Sequence, residues 1–136
     1  MEKVTKMRSA MGPMLMFAAI APLSAHATAA AQQVVIGQHH QTHASQTLQN
    51  DVLATAHEAV PAITAHFAGQ EAIACGKMEL ADTMVTKLVA NGPWSEQWTW
   101  TICGNVTSVP IEFTPDGKGG TNFAFKGREA TVTKAN

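Results

Sequence analysis

Residues 95–126, SEQWTWTICGNVTSVPIEFTPDGKGGTNFAFK, carry the pattern that decides the fold. Trp98, Trp100 and Ile102 alternate with Thr99, Thr101 and Cys103, and beyond a Gly104-Asn105 turn Val109, Ile111 and Phe113 repeat the same period. A period of two places alternate side chains on one face of an extended chain, so each run predicts a half-buried strand. Thr114-Pro115-Asp116-Gly117 has the residues of a type I turn, with Pro preset at its second position, before Phe123 and Phe125 resume the alternation. The stretch predicts a three-stranded antiparallel meander with its aromatic rings on a common side.

The element that covers this face is expected upstream. Leu48, Val52, Ala56, Val60, Ile63 and Phe67 recur at intervals of four or three, which predicts an amphipathic helix over residues 47–68. Ser45 or Thr47 can cap its start and Gly69 its end. Pro61 lacks an amide donor and crowds the preceding turn, so a kink or a break near Ala59 is expected. Residues 83–89 fit either period. Their β-branched content and the Asn91-Gly92 turn favour a strand, with a helix as the alternative. Residues 128–134 suit a last edge strand. The expected class is α+β: an N-terminal helix, kinked at Pro61, packed on a three- to five-stranded antiparallel meander.

The N-terminal part reads as an address. Lys3, Lys6 and Arg8 precede the apolar run 14–21, and Ala25-His26-Ala27 is a small-residue cleavage site, so residues 1–27 are expected to be a signal peptide. The apolar run is too short to span a bilayer. Export implies a periplasmic or secreted protein, most simply from a bacterium. An oxidising compartment favours a disulfide between Cys75 and Cys103, the two cysteines of the chain. The remainder divides into a flexible His-containing arm, 28–46, and a single α+β domain, 47–136. Loss of the leader leaves a mildly acidic chain without a Lys/Arg cluster, which argues against nucleic acid and against membrane as partners.

The residues that carry chemistry are sparse. Asp51, Glu58, Glu71, Glu79, Asp82, Glu96, Glu112 and Glu129 are scattered singly, and Ser95 and Ser108 lack a nucleophile elbow, so no catalytic residues are assigned. Asp116-Gly117-Lys118-Gly119-Gly120-Thr121 has the residue types of a phosphate loop in the wrong order, because its Lys precedes two glycines and a strand follows. His39, His40 and His43 are a candidate ligand set for Cu(II), Ni(II) or Zn(II), against the alternative of a polar leader in which histidines replace other polar residues. No other cofactor is expected. Asn105-Val106-Thr107 has the form of an N-glycosylation acceptor. Pro93 and Trp94, read as an exposed loop pair, are the candidate partner contact. These features imply an exported, non-catalytic binding domain for a protein or small ligand, with a His-arm metal binder or chaperone as the alternative.

Two resemblances extend this reading. Gln33-Val34-Val35-Ile36-Gly37 resembles the Gln-x-Val-x-Gly loop of cystatin-type cysteine-protease inhibitors, and Pro93-Trp94 resembles that family's second hairpin loop. In that family the first loop follows the helix, whereas here it precedes it. The resemblance implies protease inhibition by a helix-on-sheet fold. Residues 98–123, with Trp-x-x-x-x-Cys-Gly and Val-x-Ile-x-Phe-x-Pro-Asp-Gly, resemble small exported bacterial proteins of uncharacterised function, which implies a setting and no activity.

Overall fold

A computed structural model of the chain describes residues 33–135, so the expected signal peptide lies outside the described residues. Among these residues a single α-helix, α1 (Gln46–Ala68), precedes five strands: β1 (Met78–Leu88), β2 (Trp94–Ile102), β3 (Asn105–Pro115), β4 (Thr121–Phe125) and β5 (Thr131–Lys134). β1 to β4 form an antiparallel meander in sequence order, and β5 joins the same sheet beside β3. The helix lies against one face of this sheet, which makes the fold α+β as the periodicity implies.

Residues 83–89 adopt the strand alternative, within a β1 that begins earlier, at Met78. Its register on β2 shifts between Leu80 and Asp82 and again between Val85 and Lys87. These irregularities keep Leu80, Thr83, Val85 and Leu88 opposite the inward row Trp100, Trp98, Glu96 and Trp94, although the β1 residues are not evenly spaced. That uneven spacing is why residues 83–89 fit a helical period as well as a strand's.

α1 starts one residue earlier than expected. The Ser45 side chain accepts the Leu48 amide at its N-cap, and Gly69, at φ 90°, returns its amide to Ala65 at the other end. The helix continues through Pro61 and does not divide in two. Its buried row is Leu48, Val52, Ala56, Val60 and Thr64, a strict interval of four. Ile63 is half-buried and Phe67 is 47% exposed, so the row leaves the expected stripe at its last turn. Thr64 takes the place of an apolar residue because its hydroxyl is doubly satisfied. It donates to Val60 O at 2.8 Å and meets Thr107 Oγ1 of β3 at 2.7 Å, tying helix to sheet.

The inner face of the meander carries Trp98, Trp100, Val109, Ile111 and Phe113, each at most 1% exposed. Trp98 faces Val109 and Trp100 faces Thr107 across the strands. The β2–β3 turn falls one residue before the expected Gly104-Asn105. Cys103 and Gly104 are its two central residues, both at positive φ (48° and 79°), and Ile102 pairs with Asn105. This is the two-residue turn whose twist matches an antiparallel pair. Asn105 therefore opens β3 with its side chain buried. Its amide nitrogen lies 3.3 Å from Ala72 O, Ile102 O and Cys103 O, which removes it as a glycan acceptor in the folded chain.

Cys103 is bonded to Cys75, as expected, and this joins the segment after α1 to the β2–β3 turn. β3 continues to Pro115, so the next loop, unlike the β2–β3 turn, starts later than expected. Asp116 closes that loop by accepting the amides of Lys118 and Gly120 at 2.7 and 3.0 Å. A Cβ on Gly120 would lie 2.7 Å from Asp116 Oδ2, so a larger residue there would have to displace the Asp116 side chain. Pro110 sits in the gap of β3 between the residues paired with β5 and those paired with β4, where a missing amide donor is tolerated.

The Thr64–Thr107 contact is asymmetric, and this gives a test. Thr64→Val strands a buried Thr107 hydroxyl and should cost ~1–3 kcal/mol, whereas Thr107→Val leaves Thr64 bonded to Val60 and should cost ~1 kcal/mol. Urea denaturation of the double variant should show a loss smaller than the two single losses combined, because the pair acts as a unit. A fully additive result would contradict the contact.

Candidate functional site

β2 begins Trp94-Ser95-Glu96-Gln97-Trp98, and strand alternation points the two indoles and the carboxylate between them at the core. Glu96 is fully buried. Its Oε1 accepts hydrogen bonds from the Thr42 hydroxyl and the Trp98 indole Nε1, each at 2.7 Å. Its Oε2 accepts from the His43 amide and the Trp94 indole Nε1, each at 2.8 Å. The Thr42 oxygen itself accepts the Ala44 amide at 3.0 Å, which directs its proton toward Glu96. All four partners are donors, two on each oxygen, matching the acceptor-only capacity of an ionised carboxylate. An unpartnered carboxylate would be very costly here, and four donors offset that cost.

The sequence reading counted Glu96 among the scattered carboxylates. The signal that marks it is positional: a charged residue in the inward row of a strand, with an indole donor two residues away on either side.

Two of the four donors come from the segment before the helix. The expected flexible arm differs over its described part, which runs along the edge of β1. The Gly37 amide donates to Val85 O at 2.8 Å, the Gln41 amide donates to Thr83 O at 3.2 Å, and His39 bridges Met84 antiparallel. Such pairing uses backbone groups, so an Ala/Gln/His composition does not reveal it. Farther along, Ala44 is buried in the core before α1 begins.

The three histidines of this segment do not converge. His39 Nδ1 lies 2.5 Å from Asp82 Oδ2, and the His40 amide donates to Oδ1 at 2.8 Å with the His40 ring 3.3 Å away. The His43 ring instead stands perpendicular to Trp94, with centroids 4.7 Å apart. Among the described residues no group of three or more His, Cys, Asp or Glu is arranged to hold a metal ion. His57 and His66 on α1 are both exposed. Burial would raise the Asp82 carboxyl. Hydrogen bonds from the His39 ring and the His40 amide, with the charges of both rings, outweigh burial and hold it below its ordinary value.

Trp94 departs most from expectation. It is 6% exposed and packs in the core, with its ring stacked on Phe113 at 4.8 Å and 7°. Pro93 before it remains exposed. The loop reading failed because β2 begins at Trp94, directly after the proline, so alternation already directs its indole inward. The remaining open part of Trp94 contributes to a cleft of about 370 Å³ lined by His43, Leu88, Val89, Asn91, Trp94 and Pro115. The β1–β2 turn shapes its rim: the Gly92 amide returns to Val89 O at 3.0 Å, and Asn91 takes φ 57°.

Val89 is 45% exposed beside this cleft. The turn at residues 35–38 is held to β1 through Gly37 and Val85, three residues before the strand ends, and leaves Val35 and Ile36 at 50% and 55% exposure. Exposed aliphatic side chains thus gather where β1 turns into β2. The fold and this site define a disulfide-bonded helix-on-sheet domain with a rigid aromatic cleft at one end of the sheet. Compared with known protein families, curated proteins and solved structures, the chain matches none.

The buried carboxylate, the buried Trp94 and Asp82 each give a test. Glu96→Ala leaves four buried donors unpaired and should cost ~3–5 kcal/mol. Trp94→Ala should also cost ~3–5 kcal/mol, close to Trp100→Ala, because each opens a core cavity. Denaturation midpoints would test both, and a loss under ~1 kcal/mol for Trp94→Ala would contradict its burial. The Asp82 carboxyl is depressed in the folded state, so its stabilisation is present above the ordinary value of 3.8 and is lost as pH falls through the lower folded value. Asp82→Asn should therefore be less stable than the parent at neutral pH, and the gap should close in acid denaturation below that range.

Proposed function

We propose that this chain is an exported, non-catalytic binding domain whose contact surface is the end of the sheet around the Trp94 cleft. The observation that carries the reading is the immobilised aromatic wall. Trp94 is fixed on one edge by its hydrogen bond to Glu96 and on its face by Phe113, so the cleft is formed before any ligand arrives. A preformed apolar cleft loses little side-chain entropy on binding. Val89 is an exposed apolar residue on the cleft itself, and Val35 and Ile36 are exposed on the segment held to β1 at Val85, as apolar groups at interaction sites are. Export is supported by the leader pattern of residues 1–27 and by the pairing of both cysteines. No helix among the described residues is long and apolar enough to cross a membrane.

A second reading, cysteine-protease inhibition, draws on the same surface. Val35-Ile36-Gly37 and Pro93 both lie toward the β1–β2 end of the sheet, and the burial of Trp94 is the departure from that resemblance. Incubation of the mature protein with a papain-like protease separates the two. The binding-domain reading expects no inhibition. It also expects that Val89→Asp, which is exposed and outside the core, abolishes capture of the partner recovered from the exported fraction while leaving the thermal midpoint unchanged. Partner capture unaffected by Val89→Asp and by Ile36→Asp would place the contact surface elsewhere and overturn the proposal.

A further inference from the structure

The Trp94 cleft carries a field that its apolar lining does not suggest. Two lining residues, Trp94 through its indole and His43 through its amide, donate to one and the same oxygen, Oε2 of Glu96. None of the four groups bonded to Glu96 bears a formal charge. Hydrogen bonds satisfy the carboxylate without neutralising it, so a full negative charge sits directly behind the cleft wall. Among the described residues no Lys or Arg lines the cleft, and His43 is the one ionisable residue that does.

Charge in a buried, low-dielectric setting is screened less than charge at the surface. A cation entering the cleft is therefore attracted by Glu96 through a single layer of protein. The donor bond from Trp94 to Glu96 acts in the same sense, because negative charge at the N–H end raises electron density on the indole. Leu88, Val89 and Pro115 offer the apolar contact that an aliphatic shank needs.

From this arrangement, and resting on the reading of the cleft as the contact site, the geometry points to a lysine or arginine side chain of a partner polypeptide as the group bound beside Trp94. The partner is a polypeptide rather than a free amine because Val89 exposes apolar area at the cleft that a small molecule would leave uncovered, and Val35 and Ile36 are exposed on the segment paired with β1.

The test uses the mature protein and three pentapeptides, Gly-Gly-X-Gly-Gly, with X lysine, norleucine or glutamate, followed by the indole and amide NMR shifts. The lysine peptide should shift the Trp94 indole and the Val89, Asn91 and Gly92 amides saturably, and should bind about tenfold more tightly than its uncharged norleucine counterpart. The glutamate peptide should bind more weakly still. Equal affinity for lysine and norleucine at these same residues would overturn the cationic preference and leave the cleft as a contact site. If no peptide moves these resonances, the cationic inference and the cleft reading both fail.

Discussion

A carboxylate in the middle of a hydrophobic core is the constraint on which this structure depends. Glu96 has no exposure, and the groups that make its burial tolerable come from two places in the chain: Trp94 and Trp98 on its own strand, and Thr42 and His43 from the segment before the helix. Each is a neutral donor, so the arrangement fixes positions without forming an ion pair. Apolar packing alone would let the pre-helical segment slide. Four directional bonds to two oxygens do not, which is the way buried polar networks specify one arrangement among many. The helix start inherits this precision, since Ser45 caps α1 two residues after His43.

The same logic recurs at the far end of the helix. Thr64 and Thr107 place a hydroxyl pair where the stripe would otherwise continue with an aliphatic residue, and this fixes the helix on β3 at a second point. The disulfide adds a third tie close by, between the chain leaving α1 and the β2–β3 turn. Packing supplies most of the favourable free energy, while these polar and covalent ties set register. The functional consequence concerns Trp94. Its ring is oriented by the Glu96 network from within, so the cleft wall is as rigid as the core to which it belongs.

Much of this architecture is legible in the sequence, and the unreadable parts share a cause. The meander, the helix and the bridge between Cys75 and Cys103 announce themselves through periodicity and cysteine count. The docked segment before the helix does not, because main-chain pairing along β1 leaves no side-chain signature and its few apolar residues, such as Ala44, have no period. The proline before Trp94 suggests a loop, although the alternation of β2 already begins there. Thr64 looked polar and so was passed over, yet a helical threonine can bond its own backbone four residues back and be buried. Glu96 was hidden by its ordinary residue type. Its significance lies in being flanked by two indole donors on the inward row, a local rule that a search for paired carboxylates or metal ligands does not apply.

If Glu96 organises the core as described, the indole protons of Trp94 and Trp98 are locked in hydrogen bonds that open only with the whole domain. Hydrogen exchange of the three tryptophan indoles, followed by NMR in the native state, measures this directly. The account predicts that the Trp94 and Trp98 indole protons exchange at the rate of global unfolding, as slowly as the most protected amides of β2 and β3. Rapid exchange of both, while those amides stay protected, would mean that the carboxylate does not hold the indoles and would contradict the account at its centre.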